Sequence, residues 1–234
     1  MSDLGVRGCL PRTTKVGDGR WPVYGTDGTP PVLKNWRALP DVIDRSLIWH
    51  IIDQAQQGSC CACMGCGVMM LIREIAGLGQ DVLSQASIYG IGNGGRDQGM
   101  AIDDCLDILQ RVGACPTDVI GQYDWQGYRR DYYPDGHPTA KRFRVLEAWD
   151  CTTMDQVGSA YKLGFPVAYG AKGHAVFRIG DNLDVNSWGR DWGANGLGQW
   201  VSEATLASEI RGYGAWALRV ATDPDDDGDL PKPT

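Results

Sequence analysis

The chain has 234 residues, of which 43% are hydrophobic, which suits one large domain or two lobes around a shared cleft and excludes general disorder. Its formal net charge of -7, without a cluster of Lys and Arg, excludes an ordinary nucleic-acid-binding role. The 32 glycines and 12 prolines, spread among short apolar runs, predict a mixed protein of helices, strands and many turns.

Both ends of the chain differ in composition from the middle. Residues 1–37 are rich in Gly and Pro and sustain no helical or strand period, so we predict an extended N-terminal arm. Residues 223–234 are acidic and contain proline, which predicts a solvated tail. Neither a signal peptide nor an apolar run of 18 residues is recognised, so we expect a cytoplasmic or virion-associated protein that does not bind a membrane.

Three helices are predicted in chain order. The apolar stretch from Cys60 to Ile75 stops at Gly77, which predicts a helix buried on most sides. Between Ile102 and Val112, apolar residues recur at helical spacing and predict a second helix with one core-facing stripe. A third helix is predicted from Met154 to Leu163, where Gly164 ends it.

The second half of the chain is predicted to be mostly β. Residues 122–138 look like a loop, in which we expect several aromatic side chains to pin the loop to the body; these are Trp125, Tyr128, Tyr132 and Tyr133. Strands are predicted at Phe143–Ala148, Pro166–Tyr169, His174–Ile179, Leu183–Asn186, Leu197–Val201 and Ala215–Val220. A helical lobe over about 38–122 and a β lobe over about 139–222 predict an α+β domain, 38–222, with a site in the cleft between the lobes.

Four of the eight cysteines crowd into seven positions: Cys60, Cys61, Cys63 and Cys66. This is poor spacing for disulfides, so we expect reduced thiols in a reducing compartment. An alternative is a zinc or redox pair at Cys63 and Cys66, but no second pair lies at ligand spacing, so core packing is preferred. The acidic tail resembles the start of a calcium loop, but Thr234 would stand where its twelfth-position carboxylate is needed. We predict no metal and no cofactor.

Position along the first helix distinguishes one of these thiols. A thiol attacks a carbonyl as its thiolate, and the positive potential of a helix N-terminus favours that charge. Cys60 lies where the predicted helix begins, and Cys61 would point elsewhere. Cys63 and Cys66 lie a turn or more along the helix, where the effect of the dipole fades. Cys60 is therefore the candidate nucleophile.

A nucleophilic thiol needs a base, and the sequence has only three histidines. His137 lies in a Pro- and Gly-containing loop, and His50 lies in an apolar run, where we expect a satisfied structural histidine. His174 opens a predicted strand directly after Gly173, so its ring can project from a rigid element. Asn186 ends the next apolar run and is placed to orient that ring. His174 and Asn186 therefore complete the candidate site.

Three segments resemble the papain family of cysteine peptidases. Residues 54–62, Gln-Ala-Gln-Gln-Gly-Ser-Cys-Cys-Ala, are similar to that family's Gln-Gly-x-Cys-Gly-Ser-Cys-Trp-Ala segment. Residues 173–176, Gly-His-Ala-Val, resemble its histidine strand. Residues 186–196 give the most specific match, Asn-Ser-Trp-Gly followed by Trp-Gly-x-Asn-Gly. The resemblance covers roughly Leu39 to Val220 and is closer to prokaryotic and phage members.

The resemblance implies a papain-like two-lobed fold and gives roles to further residues. Gln54 matches the glutamine that donates to the oxyanion, and Trp188 is expected to cover the pair of His174 and Asn186. The residues expected to line the substrate cleft are Gly94, Gly95, Gly173 and Trp188.

The chain also departs from the family pattern. Cys61 replaces a tryptophan and Ala55 a glycine, while Gln57 and Gly92 replace the two cysteines of a common family disulfide. His174 follows Cys60 by 114 positions (174 − 60), against roughly 130 to 150 in such enzymes. We expect the missing residues to lie just before His174, where the family carries long loops beside the substrate.

We therefore expect a cysteine peptidase that hydrolyses amide bonds of a peptide or protein through an acyl-enzyme. The alternative is an inactive relative, such as a phage virion component, that docks onto an assembly through residues 1–37. The arm is too short and too glycine-rich to resemble the family's helical inhibitory propeptide. We expect it to serve as an anchor or as a strand that blocks the cleft.

Overall fold

The computed structural model describes residues 8–16, 18, 20–93, 96–122 and 137–221, with the backbone alone at 220–221. The described residues form a six-stranded antiparallel sheet and several helices, most of which pack against that sheet. This arrangement confirms the predicted α+β class. Within the described residues, no helix combines the length and apolarity needed to cross a bilayer.

The central helix of the first half is α1, Cys60–Ile75, as predicted. Nearly all of its residues are buried, because it packs against α2 (Gln85–Gly92) and α3 (Ile102–Arg111) as well as against two strands of the sheet. Its C-terminus ends at Gly77, whose φ of 70° lets the Leu78 N–H donate to the Arg73 carbonyl at 2.9 Å. The predicted glycine stop is confirmed.

The sheet contains six of the eight strands. In spatial order they are β3 (Val145–Asp150), β8 (Ala215–Ala221), β4 (Val167–Ala171), β5 (His174–Gly180), β6 (Leu183–Val185) and β7 (Leu197–Gly198), all antiparallel to their neighbours. Every side chain of β4 and β5 is buried, because α1 covers one face and α4 and α5 pack on the sheet as well. All six strands were predicted, although β7 ends at Gly198 rather than at Val201.

Helix α4, Met154–Lys162, was predicted, and a capping box between Thr153 and Gln156 fixes its start. Helix α5, Glu203–Tyr213, was not predicted, and neither was α2. Only Leu206 and Ile210 of α5 are buried, and α2 contains two glycines and polar residues, so neither segment shows a helical apolar stripe. Three short 3-10 helices lie at Trp36–Ala38, Arg45–Leu47 and Pro138–Arg142.

The described part of the predicted arm is folded onto the domain. The buried ion pair of Arg12 with Asp150, at 2.7 Å, joins it to the end of β3. Two backbone N–H groups, of Thr13 and Thr14, donate to one carboxylate oxygen of Asp103 at 2.8 and 2.7 Å. The side chains of Trp21, Tyr24 and Trp36 are also buried. These contacts attach the described part of the arm to the rest of the domain. The domain boundary at residue 37 stays a prediction.

Residues 8–10 of this segment cross the domain as an additional strand. Strand β1, Cys9–Leu10, pairs in parallel with β2, Met100–Ala101, so that Cys9 lies opposite Met100. The Met100 N–H donates to the Gly8 carbonyl at 2.9 Å, and the Cys9 N–H donates to the Gly173 carbonyl at 3.0 Å. The strand thus joins the start of α3 to the turn before His174. We call residues 8–10 the cleft segment.

Candidate active site

Cys60 is the first residue of α1, and its side chain is fully buried. The N–H groups of the first helical turn have no acceptor within the helix, which gives this end of α1 a positive potential. Ser59 makes no side-chain capping bond to them, since its Oγ lies 3.6 Å from the Cys63 sulfur instead. The positive potential of these N–H groups is therefore available to stabilise a negative charge on the Cys60 sulfur.

His174 is the first residue of β5 and is placed by a two-residue turn. Lys172 and Gly173 both have positive φ, 54° and 75°, and connect Ala171 of β4 to His174 opposite it. Positive φ at both central residues is typical of the type I′ hairpin turn, whose twist matches that of the strands. The tight turn explains the short spacing from Cys60, because it stands where we expected the missing loop.

Asn186 follows β6 directly and holds the histidine ring. Its Oδ1 lies 2.8 Å from His174 Nε2 and also accepts the Ser187 N–H at 2.7 Å. An amide oxygen already used as an acceptor requires a donor at Nε2, so His174 carries its proton there when neutral. The other ring nitrogen, Nδ1, is buried and is not used by Asn186. Nδ1 is therefore the nitrogen available to Cys60.

Three tryptophans enclose this histidine. The Trp188 ring stacks on the His174 ring with centroids 4.4 Å apart and an angle of 23° between the planes. Trp200 meets the same ring edge-on at 5.3 Å and is anchored by its N–H to the Ala171 carbonyl. Trp192 packs edge-on against Trp188. His174 and Asn186 are both buried among these rings, of which Trp200 was not predicted; that Trp188 keeps water from this pair stays a prediction.

Gln54 is buried beside the start of α1, and both ends of its amide are fixed. Its Oε1 accepts the Ser187 hydroxyl at 2.6 Å, and its Nε2 donates one hydrogen to the Gln57 carbonyl at 2.8 Å. An amide nitrogen carries two hydrogens, so one N–H of Gln54 remains for another acceptor. Ser187, next to Asn186, links the amide to the histidine side of the site. The sequence analysis gave Ser187 no role.

The substitution of glycine by alanine at position 55 is accommodated in an unusual backbone conformation. Ala55 has a φ of 52°, the left-handed region that glycine adopts at least cost. The Ala55 N–H donates to the Asp53 carboxylate at 2.8 Å, which supports this turn. The backbone path that leads to Gln54 and Cys60 therefore tolerates the change.

Opposing effects act on the Cys60 thiol. Burial disfavours the thiolate, but hydrogen bonds from Cys61 and His174, the His174 charge and the Ala175 N–H together hold the pKa of Cys60 well below its ordinary value. All eight cysteines lie in the described residues, and the other seven have raised pKa values, with burial a cause in every case. Cys60 is thus the one thiol of the chain that favours ionisation.

This contrast gives a testable pH dependence. The rate of Cys60 alkylation by iodoacetamide should begin to fall at a lower pH than that of an ordinary thiol, because a lowered pKa keeps the thiolate populated further into acid. An ordinary thiol, with a pKa of about 8.5, loses reactivity roughly tenfold for each unit below that value. Peptide mapping of the full chain between pH 5 and pH 9 gives the rate for each cysteine. His174→Ala should move the Cys60 midpoint upward, and an unchanged midpoint would contradict the pairing.

The cleft segment covers the nucleophile. Gly8 lies directly against the backbone of Gly58, two residues before Cys60, and a Cβ at position 8 would collide with the Gly58 carbonyl oxygen. Cys9 is bonded to the carbonyl of Gly173, the residue before His174. The cleft segment therefore lies against the backbone just before α1 and against the turn before His174. The two roles expected for the arm, an anchor or a blocking strand, stay predictions.

The remaining candidates are placed as follows. Gly94 and Gly95 lie outside the described residues, as do the aromatic residues of the predicted loop and the acidic tail. Gly173 faces the cleft segment, as described above. His137 accepts the Thr139 N–H at its Nδ1, and His50 lies in an apolar setting, with an Nε2 that has no partner in the described part of the chain. The expectation of a structural histidine at position 50 stays a prediction.

Neither Cys63 nor Cys66 is arranged for metal binding. In the part of the chain that the structure describes, no three His, Cys, Asp or Glu side chains are grouped to hold a metal ion. Both thiols are buried in α1, and burial raises the pKa of each. They pack in the core between α1 and its neighbours.

No family model matches the sequence, and no curated protein matches it. Solved structures do. Xylellain, a cysteine protease from Xylella fastidiosa, is 19% identical over 91% of this chain and 95% of its own, with a TM-score of 0.69. Digestive procathepsin L 3 from Tenebrio molitor is 13% identical over 92% and 76%, with a TM-score of 0.62. The stem bromelain precursor is 14% identical over 94% and 80%, with a TM-score of 0.64.

These identities establish the likeness of the fold alone. The matched structures cover both the helices and the sheet; xylellain is described as a cysteine protease, and the other two are described as a digestive procathepsin and a bromelain precursor. The predicted resemblance is confirmed at this level. The chain has the papain-like α+β fold of cysteine proteases.

Proposed function

We propose that the chain is a cysteine peptidase that cleaves peptide bonds with Cys60, His174 and Asn186. The observation that carries the proposal is the lowered pKa of the Cys60 thiol at a helix tip, beside a histidine whose Nε2 is bonded to Asn186. A buried thiol with no catalytic role does not require a helix N-terminus, a neighbouring histidine and a lowered pKa. The other seven thiols of the chain do not combine these features. The papain-like fold adds support, because its solved members include cysteine proteases.

The chemistry follows from the two ring nitrogens. The Cys60 thiolate attacks the scissile carbonyl carbon while His174 carries protons at both nitrogens. His174 then gives its Nδ1 proton to the departing amine, and an acyl group remains on the Cys60 sulfur. Water enters, loses a proton to Nδ1, and attacks the thioester carbon to release the acid. Asn186 keeps the ring in one orientation through both steps, because its oxygen stays bonded to Nε2–H.

The negative charge on the carbonyl oxygen is assigned two donors, the Cys60 N–H and the second N–H of Gln54. The first has no intrahelical acceptor because it starts α1. The second is oriented by the bonds that Gln54 makes to Ser187 and Gln57. Donors fixed before the reaction cost no reorganisation when the charge forms.

Gln54→Ala should lower kcat by about 10²- to 10³-fold, the usual cost of one lost oxyanion donor. The free energy of unfolding should fall by only about 1 to 3 kcal/mol, the usual cost of leaving buried groups, here those of Ser187 and Gln57, without a hydrogen-bond partner. Steady-state kinetics on a fluorogenic peptide gives kcat, and urea unfolding gives stability. Gln56→Ala, at an exposed position two residues on, is the matched control. If both variants keep full kcat, Gln54 has no oxyanion role.

The blocking strand indicates that the chain is made latent. Residues 8–10 lie over Cys60 and are held by backbone bonds to Met100 and Gly173. Two of the matched structures are themselves described as a procathepsin and a precursor. We infer that displacement of the cleft segment precedes activity.

The alternative of a non-enzymatic assembly protein is less well supported. An anchor for a partner needs free surface, whereas residues 8–16 are bonded to Asp103, Asp150 and the backbone of their own domain. A peptide-library digest decides between the two. New peptide termini that appear with the Gly8→Ala chain, whose cleft segment is displaced, and not with the same chain carrying His174→Gln support the peptidase, and a library that both leave unchanged supports the assembly role.

A further inference from the structure

Three thiols meet where the cleft segment crosses the start of α1. Cys60 and Cys61 are the first two residues of the helix, and Cys9 lies over them; none of the three is more than 4% exposed. All three are free thiols in this structure. The proposed mechanism uses Cys60 only, so Cys9 and Cys61 have no assigned role.

Backbone pairing fixes Cys9 beside Cys61. Cys9 is in register with Met100 in the ladder of β1 and β2, and the carbonyl of Met100 accepts the Cys61 Sγ–H at 3.1 Å. Both cysteines are thus held by the same short ladder. The two thiols interact directly: burial and hydrogen bonds with Cys60 and Cys9 raise the pKa of Cys61.

The opposite wall also makes room for the Cys9 side chain. A Cβ built on Gly170 of β4 would lie only 2.9 Å from the Cys9 sulfur. The absence of a side chain at Gly170 therefore lets the thiol sit between the sheet and α1. If the cleft segment blocked the cleft with its backbone alone, a cysteine would not be required at position 9.

We propose that Cys9 and Cys61 form a reversible disulfide that ties the cleft segment over Cys60, with hydrogen peroxide or another hydroperoxide as the oxidant. The proposal rests on the proposed function, since it makes the latency of the site depend on redox state. Under reducing conditions the segment is held by hydrogen bonds alone and can leave. Under oxidising conditions a covalent bond keeps it in place.

The reaction can start at Cys60. Its thiolate attacks one peroxide oxygen and the O–O bond breaks to leave a sulfenic acid and hydroxide, which takes up the proton that the Cys60 thiol released on ionising and becomes one water. The Cys61 thiol displaces the second water to give a bond between neighbouring residues, which is strained. Cys9 then attacks the Cys61 sulfur and expels Cys60, whose lowered pKa makes it the best leaving group of the three. In sum, two thiols and one peroxide give one disulfide and two waters.

The Cys9–Cys61 disulfide covers Cys60, and the reaction that forms it also protects Cys60 from further oxidation. A sulfenic acid that finds no thiol is oxidised further to sulfinic acid, which is irreversible without a dedicated repair enzyme. Here the neighbouring thiols return Cys60 to its reduced state. Reduction of the Cys9–Cys61 bond then restores the starting protein.

The test treats the full chain with about one equivalent of hydrogen peroxide, blocks the remaining thiols with N-ethylmaleimide, and maps the non-reduced digest by tandem mass spectrometry. We expect a peptide pair joined between Cys9 and Cys61, with Cys60 blocked by maleimide, and loss of the pair after dithiothreitol. Cys9→Ser should instead leave Cys60 joined to Cys61, with sulfinic acid at Cys60 only when peroxide exceeds about two equivalents. A wild-type chain that gives sulfinic acid at Cys60, without the joined pair, overturns the proposal.

Gly8→Ala is the matched control, because it keeps all eight thiols but collides with Gly58 and so moves the cleft segment. It should lose most of the joined pair, and equal yields in both proteins would overturn the placement of Cys9. The readout does not depend on hydrolysis. The joined pair in a protein that cleaves no peptide defeats the proposed function alone, and hydrolysis without the pair defeats this inference alone.

Discussion

Cys60→Ala is expected to abolish peptide hydrolysis, with a loss of roughly a million-fold, the size seen when a peptidase loses its nucleophile. No other thiol can replace it. Cys61 lies next to it but has a strongly raised pKa, and its sulfur is bonded to the Met100 carbonyl. Steady-state kinetics on a fluorogenic peptide, in the unmodified chain and in the Gly8→Ala variant, gives the effect.

Cys63→Ala is the control for this prediction. It removes a thiol one turn along the same helix, in the same buried setting, without touching the histidine. Both variants should unfold at similar urea concentrations. Residual hydrolysis in Cys60→Ala above that of the His174→Gln variant would mean that another group attacks the substrate.

Gly8→Ala is expected to raise hydrolysis of the full chain at least tenfold. The added methyl collides with the Gly58 carbonyl, which belongs to the rigid backbone before α1, so the cleft segment must yield instead. Its contacts are few: one hydrogen bond to Met100 and one to Gly173 flank the position. The same peptide assay measures the change, as a ratio of initial rates.

Gly212→Ala controls for the general effect of adding a methyl group. A Cβ at position 212 meets no atom within 4 Å, and the residue lies in α5, far along the chain from the cleft segment. We expect its initial rate to equal that of the unmodified chain. A Gly8→Ala rate no higher than this control would show that the cleft segment does not limit access to Cys60.

The parts of the fold that the sequence predicted are those with a strong local pattern. Helix α1 combines an apolar run with a glycine stop, and α3 has a clear apolar stripe, so both were placed within a residue of their ends. The strands of the sheet alternate with turn residues and were found as well. Helix α5 was missed because two buried residues, Leu206 and Ile210, are too few to give a period.

The candidate site was predicted in outline because its main residues lie at element ends. Cys60 begins a helix, His174 begins a strand and Asn186 directly follows one, and such positions are visible in a pattern of apolar runs. Ser187 and Trp200 were missed because their roles depend on contacts across the fold. Gln54 and Ser187 are 133 residues apart in sequence yet 2.6 Å apart in space.

The path of the arm across the domain could not be predicted from the sequence for a similar reason. Residues 8–10 pair with Met100 and Gly173, which lie far along the chain, and a two-residue strand has no alternation to detect. The ion pair of Arg12 and Asp150 is likewise long-range. The place of Cys9 opposite Met100 also depends on residues far apart in the sequence.

A single measurement tests the central claim most directly. The Gly8→Ala chain is incubated with a peptidyl vinyl sulfone, which reacts with a thiol only when a peptidase site binds it and activates the sulfur. Mass spectrometry should find one adduct per chain, on Cys60, and none when His174→Ala is added. An adduct on another cysteine, or equal labelling of Cys60 without His174, would contradict the pairing on which the proposed function depends.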